Sequence, residues 1–197
     1  MEDDIKLEGI FCSINDKEKE KLNKTRNEFL DAFNNTLVDD YDKREELIKK
    51  YFGSVGLKPN VSKPFYCDYG ANIFVGDNFF ANHDCNILDV SKVIVGNNVL
   101  LGPNVSIYTA GSIGSSDFDK VEYGVNIGSD VWIGKNTVIN PGVSFGSNVV
   151  IGSCSVVVSD IPSNCMASGN PCRVLRELNE NETKYWLEQL KAQESNY

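Results

Sequence analysis

The chain of 197 residues contains one histidine, His83, set between Asn82 and Asp84 and six positions before Asp89. Imidazole is the side chain whose ordinary pKa lets it exchange a proton near neutral pH. A carboxylate on its second ring nitrogen is the usual means of orienting it. The segment could therefore take a proton from a hydroxyl, with Asp84 or Asp89 orienting His83. The same residues also fit an exposed turn histidine with no chemical task. Six cysteines (Cys12, Cys67, Cys85, Cys154, Cys165, Cys172) are scattered without a C-x-x-C pair, so neither a zinc site nor a redox couple is expected. Free and mostly buried thiols are the expectation. A net charge of −9 argues against nucleic acid, which needs clustered Lys and Arg. A small anionic ligand needs only a local basic patch.

A repeat must position these groups. Every sixth residue is apolar along Val75, Ala81 and Ile87, then Val95, Leu101 and Ile107, then Ile127, Ile133, Ile139, Phe145, Ile151 and Val157. Glycine often follows, at Gly76, Gly96, Gly102, Gly128, Gly134, Gly146 and Gly152. Four positions after the beat comes a second small or branched residue, as at Val99, Val105, Val131, Thr137, Val143, Val149 and Ser155. A fixed period of this kind predicts stacked coils with three flat faces, each hexapeptide giving one short strand and a turn. A β-sandwich would show strands of variable length instead.

Three segments follow from this reading. Residues 1–60 read as helical, over Asp16–Asn35 with Leu22, Phe29, Leu30 and Phe33 on one face. A second helix is predicted over Tyr41–Phe52, with Tyr41, Leu47, Ile48, Tyr51 and Phe52 as its stripe. Asp39 or Asp40 would cap its start and Gly53 would end it. Residues 61–174 form the repeat domain, interrupted by a protruding loop over 108–126 where the beat fails. Residues 175–197 form a tail with a short amphipathic helix around Tyr185, Trp186 and Leu190. No apolar run approaches the ~18 residues of a membrane span, and the acidic start lacks signal-peptide features. A cytoplasmic protein is the expectation.

The run VWIGKNTVINPGVSFGSNVVIGSCSVVVSDIPSNCMASGNPCRVLREL, with FYCDYGANIFVGDNFFANHDCNILDV upstream, resembles the hexapeptide-repeat acetyltransferases. The maltose and galactoside O-acetyltransferases and the nodulation acetyltransferases are the branch it resembles. That resemblance implies a mainly β fold: a left-handed parallel β-helix with an N-terminal helical segment and a short C-terminal helix. It implies a homotrimer with clefts between subunits, acetyl-CoA as co-substrate and a sugar-like hydroxyl as acceptor. Asn82 matches the family's active-site asparagine. Trp132 matches a tryptophan beside the cofactor arm, though simple packing at a coil corner is the competing reading. Ser153 and the turn at Ser159 match the positions that bond the pantetheine. Arg173 and Arg176 match basic residues near the CoA phosphates, though a solvated charge is the competing reading for Arg173, and Asp68 and Asp89 fall at the acceptor side.

The departures concern chemistry. The family's loop reads roughly T-x-x-H-P, and Tyr108-Thr109-Ala110-Gly111-Ser112-Ile113 puts Ser112 where the resemblance implies the catalytic histidine. An expected acidic residue falls at Ser13, another at Val90, and a Thr-Lys pair is Val158-Ser159. A serine hydroxyl holds its proton too tightly to act as a base, and losing a positioned base costs roughly 10²–10⁴ in rate. Three functions remain open: O-acetyl transfer with altered catalytic groups, a binding or scaffolding trimer with impaired catalysis, or transfer to an amine, which leans less on a base. His83 is the candidate for a relocated base.

Overall fold

The computed structural model describes residues 16–112, 120–179 and Glu182. Its body is a parallel β-solenoid of triangular section. The first face holds β1 (Ser54–Val55), β4 (Ile73–Val75), β7 (Val93–Val95), β12 (Val125–Ile127) and β15 (Ser144–Phe145). The second holds β2 (Asn60–Val61), β5 (Phe80–Ala81), β8 (Val99–Leu101), β13 (Val131–Ile133), β16 (Val149–Ile151) and β18 (Cys165–Ser168). The third holds β3 (Phe65–Cys67), β6 (Cys85–Leu88), β9 (Ser106–Tyr108), β14 (Val138–Ile139) and β17 (Val156–Val157). Every residue of the six-residue beat from Val75 to Val157 is buried, as are the seven branched or small residues four positions later. The stacked strands begin one face earlier than residue 61, at Ser54–Val55: Val55, Val61 and Cys67 stack in register under Val75, Ala81 and Ile87.

The corners explain the residues between beats. Between the first and second faces, Asn78, Asn98, Asp130, Asn148 and Asn164 all take φ values of 55–59°. Asn and Asp are the non-glycine residues that best tolerate this left-handed backbone. Their side chains link coil to coil: Asn78 Nδ2 donates to Asn98 Oδ1 at 2.7 Å, and Asn98 Nδ2 donates to Asp130 Oδ1 at 2.8 Å. The glycine opening each corner is required by crowding, since a Cβ on Gly128 would lie 2.5 Å from the Gly146 carbonyl oxygen one coil on.

Both ends of the stack are covered. At the start, α1 (Asp16–Asn34) and α2 (Tyr41–Tyr51) pack on β1, β2 and β3 through Phe29, Phe33, Ile48 and Phe52. Asn34 acts as a missing strand: its Oδ1 accepts from the Phe65 N–H at 2.9 Å, and its Nδ2 donates to the Phe65 carbonyl at 3.0 Å. Asp40 caps α2 by accepting from the Lys43 N–H, and the helix ends at Phe52 rather than Gly53. The stripe predicted for α2 differs at one position. Tyr41 is 38% exposed, while Arg44 is buried, donating to the Leu37 and Val38 carbonyls and lying 4.6 Å over the Tyr41 ring. At the far end, β19 (Arg173–Glu177) turns back antiparallel on β18. The turn before it closes the third face, with the Val156 N–H donating to the Gly169 carbonyl and the Cys172 N–H donating to the Val156 carbonyl. The helix expected after residue 179 lies outside the described residues, apart from Glu182.

Candidate active site

The corner between the second and third faces carries Asn82-His83-Asp84. Ala81 stacks under Leu101, then Ile133, then Ile151. Asn82 therefore occupies the position of Gly102, Gly134 and Gly152 in the coils above. His83 stands under Pro103, Lys135 and Ser153, and Asp84 under Asn104, Asn136 and Cys154. Asn82 Oδ1 accepts from the His83 N–H at 2.8 Å, and His83 Nδ1 lies 2.7 Å from Asp84 Oδ2. This pair is open to solvent, with side chains 54% and 48% exposed. Asp84, not Asp89, is the histidine's partner.

Beside that corner, the outward side chains of the second face form one apolar ladder. Phe80 aligns with Leu100, Leu100 with Trp132, Trp132 with Val150, and Val150 with Met166. Trp132 lies in the middle of β13 and not at a corner. Leu100 and Val150, its neighbours in register, are only 7% exposed although they point outward. Arg176 pairs with Met166, which puts it about 14 Å from Trp132 at the usual strand spacing. Arg173 aligns with Ser168 on the same strand. Arg176 is engaged by both carboxylate oxygens of Glu182 at 2.7 Å. Arg173 donates to the Cys172 carbonyl and has no carboxylate partner among the described residues. Ser153 is exposed at the His83 corner. Ser159 is exposed at a different corner, across the third face from Ser153.

The remaining predicted residues gather at the corner between the third and first faces. There the Asp89 carboxylate is fully buried and accepts from the N–H groups of Asp68 at 3.0 Å, Tyr69 at 2.8 Å and Asn72 at 3.1 Å. Burial raises its pKa above the ordinary carboxylate value, and the backbone hydrogen bonds oppose the shift. Direct contact with an acceptor is not available to a carboxylate so placed; Asp89 fixes the loop that carries Asp68. Thr109, also buried, accepts from the Ser91 N–H and donates to the Leu88 carbonyl one coil below. The protruding segment then leaves as an antiparallel ribbon of β10 (Ala110–Ser112) and β11 (Lys120–Glu122), with Ser112 opposite Lys120. Ser13 and residues 113–119 lie outside the described residues. Asn82 and Ser112 thus leave the solenoid at different corners, separated by the width of the third face, on the order of 15 Å.

Comparison with known proteins agrees with this fold. Residues 124–159 match the family model described as bacterial transferase hexapeptide (six repeats). The galactoside O-acetyltransferase of Escherichia coli K12 is 42% identical over 167 residues, covering 83% of this chain and 82% of the relative. The chain belongs to the hexapeptide-repeat acetyltransferase family. A maltose O-acetyltransferase structure from Clostridium difficile 630 superposes with a TM-score of 0.84 at 47% identity, covering 88% of this chain and 95% of that one. A galactoside acetyltransferase in complex with coenzyme A superposes with a TM-score of 0.82 at 38% identity, covering 87% of both chains. Within the family's coil plan, the one site signal hidden from sequence is the outward ladder. Leu100 and Val150 fall between beats, and only strand pairing aligns them with Trp132. Among the described residues no group of His, Cys, Asp and Glu could hold a metal, and no helix is long and apolar enough to cross a membrane.

Proposed function

We propose that the chain transfers acetyl from acetyl-CoA to a hydroxyl of a sugar-like acceptor. The outward ladder of the second face carries this reading. It offers an apolar track that starts beside Asn82 and ends at Met166, next to the strand that carries Arg176 opposite Met166 and Arg173 opposite Ser168; a guanidinium there suits a phosphate better than an ammonium would. A pantetheine arm laid along Trp132 and Val150 would bring its thioester toward that corner, where the Asn82 Nδ2 group remains a donor. Coenzyme A in the complex of the related galactoside acetyltransferase supports the choice of co-substrate. Because Asn82 and Ser112 sit at separate corners, one site containing both would need two subunits, in keeping with a homotrimer. Asp68 would then face the acceptor from the neighbour's loop corner.

Thiol release from acetyl-CoA, measured with hexose and disaccharide acceptors, tests this reading. Turnover is expected with at least one hydroxyl acceptor, and Ser112→His is expected to raise it if the neighbouring ribbon reaches Asn82. Acetyl-CoA binding with no release on any acceptor would instead support a binding trimer. Release on aminosugars alone would support transfer to an amine.

A further inference from the structure

We propose that His83, oriented by Asp84, is the general base of acetyl transfer, so that the base stands on the solenoid corner beside Asn82 and not on the protruding ribbon. This rests on the acetyltransferase reading above and names the group that reading leaves open. An ionised carboxylate can only accept hydrogen bonds, so the 2.7 Å contact with Asp84 puts the ring proton on Nδ1. The Nε2 lone pair is then the ring's free basic site, on a side chain that is more than half exposed. The backbone beneath it is fixed. The His83 N–H donates to Asn82 Oδ1, the His83 carbonyl accepts from the Asn104 N–H at 3.0 Å, and the Asp84 N–H donates to the Pro64 carbonyl at 2.7 Å.

The fold itself asks for neither side chain. In the coils above, the His83 position is Pro103, Lys135 or Ser153, residues with no shape in common. The Asp84 position needs only tolerance of a positive φ, here 63°, and Asn104 and Asn136 meet that need at 56° and 58°. The carboxylate is thus an addition to what the corner requires. Few other charges face the ring. Lys63, one coil below, turns its ammonium to the Thr36 carbonyl; Pro103 above is uncharged; Lys135 and the Cys154 thiol stand further up the same corner. In the step itself, Nε2 takes the acceptor hydroxyl proton while that oxygen attacks the thioester carbonyl. Collapse breaks the C–S bond, and the departing thiolate takes the proton back from the imidazolium, leaving CoA thiol and the acetyl ester.

The test compares wild type, His83→Gln and Asp84→Asn by thiol release across pH, with acetyl-CoA affinity measured separately. His83→Gln should lower kcat/KM roughly 10²–10⁴-fold and remove the acid limb of the profile, with acetyl-CoA affinity unchanged. Asp84→Asn keeps the corner's backbone and should lower kcat/KM at least about tenfold through loss of the Nδ1–H tautomer. Because His83 is the only histidine in the chain, its ring nitrogens can be assigned without ambiguity by 15N NMR. A neutral ring protonated on Nδ1 in wild type and shifted toward Nε2–H in Asp84→Asn is expected. Wild-type turnover and acid limb in His83→Gln would overturn the dyad while leaving the acetyltransferase reading intact. Acetyl-CoA binding by wild type without release to any hydroxyl acceptor would overturn both.

Discussion

Asp84 and Asp89 are the same side chain five positions apart, and their surroundings give them opposite tasks. Asp84 is half exposed and holds an imidazole, whereas Asp89 is sealed and holds a loop. Sequence shows both as carboxylates near a histidine. The difference lies in which corner each occupies, and a period of six does not say which corner widens to bury a carboxylate. Asp89→Asn replaces one acceptor oxygen by an amide donor facing a backbone N–H. Loss of about 1–3 kcal/mol is expected, measurable by urea unfolding. The pH dependence has a defined sign. Burial raises the folded pKa of Asp89, so between the unfolded value near ~3.9 and the raised folded value the native state binds the extra proton. Its contribution therefore falls as pH rises through that window. The wild type's advantage over Asp89→Asn should accordingly grow as pH is lowered through it, and a difference that is flat or shrinks would contradict the assignment.

Among the elements, the faces were legible because the beat is chemistry repeated at a fixed pitch. The first coil was not, because Pro59 and Pro64 interrupt it, although Val55, Val61 and Cys67 keep the period. The ribbon was visible only as a failure of the beat, since pairing of β10 with β11 has no local signature. Asn34 was equally silent: an asparagine at a helix end reads as a terminator, yet here its amide pairs with both backbone groups of Phe65. Phe65 is fully buried, so water cannot replace either bond. Asn34→Ala should cost about 2–4 kcal/mol, as two unsatisfied backbone groups at ~1–3 kcal/mol each partly relax. Thermal unfolding would check this, and a loss below about 0.5 kcal/mol would show that β3 finds other partners.

For the whole molecule, the candidate residues separate into two groups at opposite edges of the third face. Asn82, His83, Trp132, Ser153, Arg173 and Arg176 belong to the second face and its corner. Asp68, Asp89, Ser112 and Ser159 belong to the opposite edge of the third face. The resemblance named these residues apart from His83, which stood out as the chain's one histidine, but a linear string gives no distance between corners, so the division emerged only from strand register.

The reversal of the chain at β19 has a consequence for symmetry. A parallel stack that simply stopped would present three bare strand edges, whereas here an antiparallel strand and the Gly169–Cys172 turn occupy two of them. The opposite end is closed by helices. A chain ended after Ser168 would have one open end only, so two copies could meet through a twofold axis, each presenting the same surface to the other. The expected product is a doubling of mass that stops there, not a fibre. Light scattering would distinguish the two, and a chain ended after Asn179, with β19 intact, should keep the mass state of the full chain.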